Sequence, residues 1–198
     1  MINPPHGLTT AGHRRTGSDT PTDSALSSPT GQRLLRDIAR PVHSGIVGTF
    51  ANDWLREAFL EALIADERLP DVVATRHDLD RIFCGQSSSI AFSAFADRLQ
   101  VFPTLEETIE HLEAKADNLR AGQSAPTTVW FAVPGNDTDV ISQTIEYWSG
   151  LDLTVLFLGF WPHGSNRHPR PARSPAFPSE PFIARSLNDS IALLQAGG

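Results

Sequence analysis

The segment Ser44-Gly45-Ile46-Val47-Gly48-Thr49 is the first part of the sequence whose residue types could do chemistry. Glycine turns that lead into a helix present backbone amides to phosphate groups, which makes Gly45, Gly48 and Thr49 candidate ligand-binding residues. A hydrolytic phosphate loop also needs a Lys directly before its Ser or Thr, and Gly48 occupies that position. The segment is therefore compatible with a small anion site that lacks ATP hydrolysis, or simply with a tight turn into a helix.

A second candidate is Arg76-His77-Asp78, which places a cation, an imidazole and a carboxylate in consecutive positions after a predicted strand. Such a trio could serve a small enzyme or a nucleotide binder at the end of a sheet. The competing interpretation is structural: Asp78 or Thr75 caps the following helix, and Arg76 and His77 are solvated. The sequence alone leaves both interpretations open.

Other residue types that support covalent or metal chemistry lack the partners they need. The single Lys, Lys115, is flanked by acidic residues in a predicted helix, which indicates a solvated surface charge rather than a Schiff base. The single Cys, Cys84, predicts small packing filler and excludes a disulfide. The seven histidines show no zinc-ligand spacing. We therefore expect no catalytic residue, no metal and no cofactor.

Trp161 and His163 form a third candidate, beside a proline-rich stretch that contains three arginines. An aromatic ring next to basic residues can contact nucleic acid or dock a protein. Residues 44–160 carry 18 acidic against 7 basic side chains, and this excess of negative charge repels nucleic-acid phosphates. The sequence therefore favours a protein partner over direct nucleic-acid contact.

The composition indicates one globular unit with polar flanks. The 198 residues are 40% hydrophobic, which suffices for one core at about 100–200 residues per domain. Residues 1–31 have no aromatic side chain and are rich in Ser, Thr, Pro and Gly, so we predict a disordered N-terminal arm. Residues 32–198 are predicted to form a single domain, with a Pro/Arg-rich loop at 163–181. No segment predicts a membrane span or a secretory signal, so we expect a cytoplasmic bacterial protein.

Strand-like and helix-like patterns alternate along this domain. Short apolar runs end at Val47 and cover residues 71–74, 99–102, 128–133, 153–160 and 182–184. Helical periodicity follows each of them except 153–160, which leads into the proline-rich stretch. Thr104 and Glu107 match a capping box, and Asp137 and Ser186 are predicted to begin two further helices. The alternation predicts a three-layer α/β fold with a mostly parallel sheet and helices on both faces, Rossmann-like in type.

A parallel sheet binds ligands beyond the C-terminal ends of its strands. That rule gathers every candidate residue at one edge of the predicted sheet. The stretches that meet there are Gly45–Thr49, Thr75–Asp78, Pro134–Asp137 and Trp161–Gly164. We predict this edge as the working surface of the protein.

The run Leu158-Gly159-Phe160-Trp161-Pro162-His163-Gly164 resembles a strand-end motif in the C-terminal α/β domain of large actinobacterial proteins that carry LysM repeats or a bacterial transcriptional activator domain. Residues 71–82, 128–148 and 182–194 are similar as well, so the resemblance covers about residues 45–194. It implies a degenerate relative of the P-loop motor ATPases, whose phosphate loop, here Ser44–Thr49, is reduced to small residues. The sequence departs from that family at 165–181, which replaces a short hairpin, and it contains no LysM or activator region.

These observations together predict a non-catalytic binding or regulatory module that acts through a protein partner at the strand-end edge. The missing Lys and the lack of a convergent acid–base set favour this function. The alternative is a small-molecule or nucleotide-binding enzyme that uses Gly48, Thr49, Arg76, His77 and Asp78.

Overall fold

The computed structural model describes residues 34–35, 42–64, 70–170 and 184–197. These residues belong to one compact unit that spans 32–198. The predicted arm at 1–31 lies outside the described residues, and so do residues 171–181 of the predicted Pro/Arg loop and residues 182–183 of the last predicted strand.

The described residues form six strands, five α-helices and two short 3₁₀ helices. In chain order these are β1 (His43–Ile46), α1 (Ala51–Ile64), β2 (Asp71–Thr75), α2 (Arg76–Ile82), the 3₁₀ helices Ser87–Ser89 and Phe92–Phe95, β3 (Leu99–Phe102), α3 (Leu105–Arg120), β4 (Thr128–Ala132), α4 (Thr138–Tyr147), β5 (Leu153–Leu158), β6 (Ser165–Arg167) and α5 (Leu187–Ala196). Helices follow β1, β2, β3 and β4 directly, as the alternating sequence pattern predicts.

All pairs of neighbouring strands are parallel, and the order across the sheet is β3-β2-β4-β5-β1-β6. The first strand, β1, therefore lies between β5 and β6 rather than beside β2. The chain crosses from β1 to β2 through α1, and the next strand in the sequence that lies beside β1 is β5. The three-layer α/β fold predicted from the sequence is confirmed, and the sheet is parallel throughout.

Alternating side chains on the strands build one apolar layer on each face of the sheet. Val72 and Ala74 of β2 pack with residues of α1, α2 and α5. Val73, between them, points to the other face and packs with α3 and α4. Trp130 of β4 lies on that second face and is fully buried. Continuous apolar runs such as 128–132 are buried on both sides, which is typical of parallel strands that are covered by helices.

The helix starts agree with the predicted caps in three cases and differ in one. The hydroxyls of Thr104 and Ser186 accept hydrogen bonds from the amides of Glu107 and Asp189, at 3.2 and 3.1 Å. Thr104 is thus a cap, but the return bond from the Glu107 side chain that would complete the predicted capping box is not formed. Asp137 precedes α4 but its side chain makes no capping bond, because its backbone (ψ 24°) is not in the extended conformation of the other caps. The third predicted cap, Thr75 at the start of α2, is also observed and is described below with the candidate site.

The predicted Pro/Arg loop begins with a strand instead of irregular chain. Ser165–Arg167 forms β6, an edge strand that pairs with β1 from Ser44 to Ile46. The prolines at 162 and 169 flank this strand and leave its backbone amides free to pair, so the proline density does not prevent it.

Candidate functional site

The C-terminal ends of β1, β2, β4 and β5 lie at one edge of the sheet, because all of these strands run in the same direction. Ile46 aligns with Leu158, and Ala74 aligns with Phe131. We call this edge the rim. It consists of residues 47–50, the start of α2, residues 133–137 and residues 159–160. The prediction that Trp161–Gly164 lies at this edge is wrong, because the chain runs back along β1 from Trp161 and reaches the start of that strand at Gly164, beside His43 O.

Gly45, predicted to bind a ligand, is instead a buried packing position within β1. A Cβ atom at this position would lie 2.2 Å from Asn166 Oδ1, 2.6 Å from Gly159 O and 2.7 Å from Trp161 N. Glycine is required here because another segment of the chain crosses directly over the strand. The prediction for Gly45 is therefore corrected: its surface is covered by protein and not open to a ligand.

Gly48 and Thr49 are exposed in the connection from β1 to α1. Gly48 has φ +106°, a backbone conformation that favours glycine, and its carbonyl accepts a hydrogen bond from Ala51 N at 3.2 Å. Only residues 47–50 join the strand to the helix, which is shorter than a phosphate loop of the form G-x-x-x-x-G-K-[ST]. The segment therefore forms a tight turn into α1.

Asp78 is a structural capping residue rather than an open rim carboxylate. It is buried, and its Oδ2 accepts hydrogen bonds from Thr75 N at 3.0 Å and Thr75 Oγ1 at 2.6 Å. Thr75 Oγ1 accepts in turn from Asp78 N, which completes a capping box at α2. Oδ1 accepts from Val133 N at 2.8 Å and ties the helix start to the end of β4. Burial raises the pKa of this carboxyl, and the hydrogen bonds from Thr75 and Val133 oppose the shift.

The side chains of Arg76 and His77 are exposed, and the charge of His77 opposes the rise in the pKa of Asp78. Among the described residues neither of them has an ion-pair partner. Two members of the predicted trio are therefore exposed at the surface, whereas the third, the carboxylate of Asp78, is buried and hydrogen-bonded to Thr75 and Val133. This arrangement corresponds to the structural alternative that the sequence left open.

The loop from β5 to β6 crosses over β1 on the face that α3 and α4 cover elsewhere. Gly45 aligns with Phe157, whose side chain belongs to that face. Trp161 stacks on Phe157 with ring centroids 4.0 Å apart and planes 15° apart, and only 1% of its surface is exposed. Trp161 therefore fills the core above the end of the sheet. The prediction that it belongs to an exposed docking patch is wrong, because the crossing loop turns the indole inward.

The polar side chain of Asn166 and the small residue Gly164 allow the loop to cross β1 closely. Asn166 Oδ1 accepts from Trp161 N and Asn166 Nδ2 donates to Trp161 O, both at 2.8 Å. A Cβ atom at Gly164 would lie 2.7 Å from His43 O and 2.8 Å from the indole of Trp161. The Trp-Pro-His-Gly motif and the following Asn are therefore explained by chain packing, without a ligand.

His163 is partly exposed and links the crossing loop to the start of α4. Its Nε2 lies 3.4 Å from Asp139 Oδ1, and its ring meets the edge of Trp161 with centroids 5.2 Å apart. Arg167 and His168 follow at the end of β6 and are exposed. His163 thus remains on the molecular surface, as predicted.

Phe160 is the functional candidate that the sequence analysis missed. It is 66% exposed, although both aromatic neighbours, Phe157 and Trp161, are buried. Gly159, with φ +121°, turns the chain at the end of β5 and directs Phe160 outward. An apolar residue directly after a strand-ending glycine was the available signal. The other large exposed hydrophobic residues in the described part of the chain are Val140 and Tyr147 of α4.

A second group of titratable residues lies between α3 and the strands β2 and β3. Lys115 forms an ion pair with Asp71 at the start of β2 and is largely buried, so it is not the solvated charge that its acidic neighbours predict. His111 packs against Phe102 with centroids 4.9 Å apart. Burial lowers the pKa of His111, the charge of Lys115 lowers it further, and the charge of Asp71 acts in the opposite direction. A shallow cavity of about 270 Å³ lies beside Lys115 and His111.

Cys84 also departs from its predicted role. It is exposed and adopts φ +52°, between α2 and Gly85. Asn52 Nδ2 lies 3.5 Å from its Sγ and donates to Arg81 O at 2.8 Å. The thiol is therefore a turn residue at the surface and not packing filler.

Comparisons with family models, with curated proteins and with solved structures found no significant match. The resemblance to the actinobacterial α/β domain therefore stays a prediction, and so does its relation to the P-loop ATPases. Within the described ranges no group of three or more His, Cys, Asp or Glu side chains is placed to hold a metal ion. None of the helices in those ranges is long and apolar enough to cross a bilayer.

Proposed function

We propose that this chain is a non-catalytic binding module that docks a protein partner at the β1–β5 end of the rim. The observation that carries the proposal is the exposure of Phe160, which presents 66% of its surface at the end of a central strand. Burying an aromatic side chain of this kind contributes the largest share of binding energy in many protein interfaces.

The backbone around Phe160 supports this function because it is held in place without a partner. Gly159 N donates to Ile46 O at 3.0 Å, and Trp161 is fixed by its stacking on Phe157 and by Asn166. A preorganised anchor loses little conformational entropy when it binds, so more of its interaction energy appears as affinity. Phe160 is thus an exposed apolar side chain on a rigid support.

The alternative function, a nucleotide-binding enzyme, has less support at the same edge. Gly45 is covered by the crossing loop, and both oxygens of Asp78 are occupied by Thr75 and Val133. Lys115 lies at the opposite edge in an ion pair with Asp71. A phosphate site needs backbone amides together with a cation that neutralises the phosphate charge. We place the module in the bacterial cytoplasm, where it would regulate its partner by binding it.

The experiment compares Phe160→Ala with the wild type and with Val140→Ala, which removes an exposed apolar side chain from α4. Each protein is immobilised and exposed to extract of its own cells, and bound proteins are quantified by mass spectrometry. Proteins that bind to the wild type but not to Phe160→Ala are then purified, and their affinity for each variant is measured by calorimetric titration. We expect Phe160→Ala to weaken the confirmed complex at least about tenfold, a loss of about 1.4 kcal/mol or more, and Val140→Ala to leave it unchanged. Equal affinity of wild type and Phe160→Ala for every purified candidate would refute the proposal.

A further inference from the structure

We infer that the partner presents an acidic segment beside the apolar residue that contacts Phe160. This inference rests on the proposed docking function and adds the chemistry of the partner. The surface concerned, which we call the basic patch, consists of Phe160, His163, Arg167 and His168. All four residues are at least partly exposed.

Strand register brings the members of the basic patch to one place. Leu158 at the end of β5 and Arg167 at the end of β6 both align with Ile46 of β1. The two strand ends are therefore at the same height and two strand spacings apart, about 10 Å. Phe160 lies two residues beyond Leu158, and His168 lies one residue beyond Arg167. A single extended peptide can reach the phenyl ring and the basic side chains at the same time.

The charge distribution is what selects an acidic partner. Residues 159–168 contain one arginine and two histidines and no acidic residue, whereas residues 44–160 carry 18 acidic and 7 basic side chains. In the described part of the chain neither Arg167 nor His168 has an ion-pair partner. The carboxylate that contacts the patch there is that of Asp139, which lies beside His163. An acidic segment is therefore attracted to this end of the rim and repelled by the rest of the domain, which orients it during association.

A protein segment fits these features better than a nucleic acid does. Single-stranded nucleic acids bind to a continuous basic groove with several exposed rings on which successive bases stack. The basic patch offers one exposed phenyl ring, Phe160, and two imidazoles instead of a continuous row of large rings, since the indole of Trp161 is buried. The acidic body on either side of it repels a phosphate backbone that extends beyond the patch.

The test uses three short fluorescein-labelled peptides with the same central Leu-Phe pair, flanked by Glu and Asp, by Gln and Asn, or by Lys and Arg. Binding to the full chain is measured by fluorescence anisotropy at increasing salt concentration. We expect the acidic peptide to bind at least about fivefold more tightly than the neutral one, with an advantage that disappears at high salt, and the basic peptide to bind most weakly. Equal binding of the acidic and neutral peptides, or tighter binding of a labelled oligothymidylate, would overturn the inference.

Charge reversal at Arg167 separates this inference from the proposed function. Arg167→Glu should weaken the binding of the acidic peptide at least about fivefold. Arg76→Glu, at the β2 end of the rim, should have little effect on that binding. Both side chains are exposed, so neither variant is expected to unfold the domain. If both reversals weaken binding equally, overall charge explains the effect and the patch is not the site. If Phe160→Ala disrupts the partner complex and Arg167→Glu does not, the docking function stands and the acidic partner is excluded.

Discussion

The side-chain amide of Asn166 forms two hydrogen bonds with the backbone of one residue, Trp161, as a neighbouring strand would. Its Oδ1 accepts from Trp161 N and its Nδ2 donates to Trp161 O. The pair fastens the loop that crosses β1, and the indole of Trp161 covers Phe157 beneath it. The same loop carries Phe160, so the geometry of the proposed anchor depends on a contact that is itself unrelated to binding.

Asn166→Ala should lower the free energy of unfolding by about 2 kcal/mol, because two partly buried hydrogen bonds of about 1 kcal/mol each are lost. Urea denaturation followed by tryptophan fluorescence measures this change. Asn118→Ala, on the exposed face of α3, is the matched control and should change stability by less than about 0.5 kcal/mol. Equal stability of the two variants would contradict the fastening role of Asn166.

Gly45→Ala should destabilise the domain more than Gly48→Ala. At Gly45 the new methyl group would meet Gly159 O and Trp161 N, which are backbone atoms that cannot rotate away, and a loss of about 3 kcal/mol is expected. At Gly48 the space is open and only the positive φ is unfavourable, at about 1–2 kcal/mol. Thermal and chemical denaturation of both variants give the comparison. A well-tolerated Gly45→Ala would mean that the loop does not cross β1 as described.

Asp78→Asn should change the dependence of stability on pH. Burial raises the pKa of Asp78, so the folded state holds the proton more tightly than the unfolded state does. Its contribution to stability is then largest below the unfolded pKa of about 3.9 and falls as the pH rises through the folded pKa. The stability advantage of the wild type over Asp78→Asn should therefore decrease as the pH is raised from acid toward neutral. Chemical denaturation across that range measures it, and an increasing advantage would show a lowered pKa instead.

Substitutions around His111 should move its pKa in opposite directions. Lys115→Met removes a positive charge that lowers the pKa of His111, so the pKa should rise. Asp71→Asn removes a negative charge that raises it, so the pKa should fall. The imidazole protons, assigned with His111→Gln, report both shifts by NMR titration. Lys115→Arg retains the charge and should reproduce the wild-type titration curve of His111. If Lys115→Met and Asp71→Asn shift the pKa of His111 in the same direction, the described placement of the two charges around His111 is contradicted.

Elements whose signals lie within a few neighbouring residues are predictable from the sequence. The run Thr128–Ala132 is continuously apolar, and Thr104 precedes a helical stripe, so both elements follow from local pattern. The parallel sheet follows from the alternation of strands and helices. The position of β1 between β5 and β6 does not follow, because strand order depends on contacts between distant segments. The edge strand β6 was missed because prolines flank it.

The candidate site was harder to predict because its residues are defined by partners far away in the chain. Trp161 is buried by a loop that Asn166 folds back, and Asp78 is engaged by Val133, 55 residues later. Lys115 is paired with Asp71, 44 residues earlier. Each residue type is compatible with chemistry when it is considered alone. The exposure of Phe160 follows from the turn at Gly159 and could have been predicted.

The position of β1 has a consequence for how the protein folds during synthesis. His43 aligns with Val155, and Ser44 with Ser165, so β1 has no neighbour in the sheet until β5 and β6 have been made. A nascent chain that ends after β4 can pair only β3, β2 and β4, and β1, although it is synthesised first, has no neighbouring strand. Closure of such long-range pairs is slow, and strand edges that remain unpaired in the meantime are open to aggregation and to chaperones.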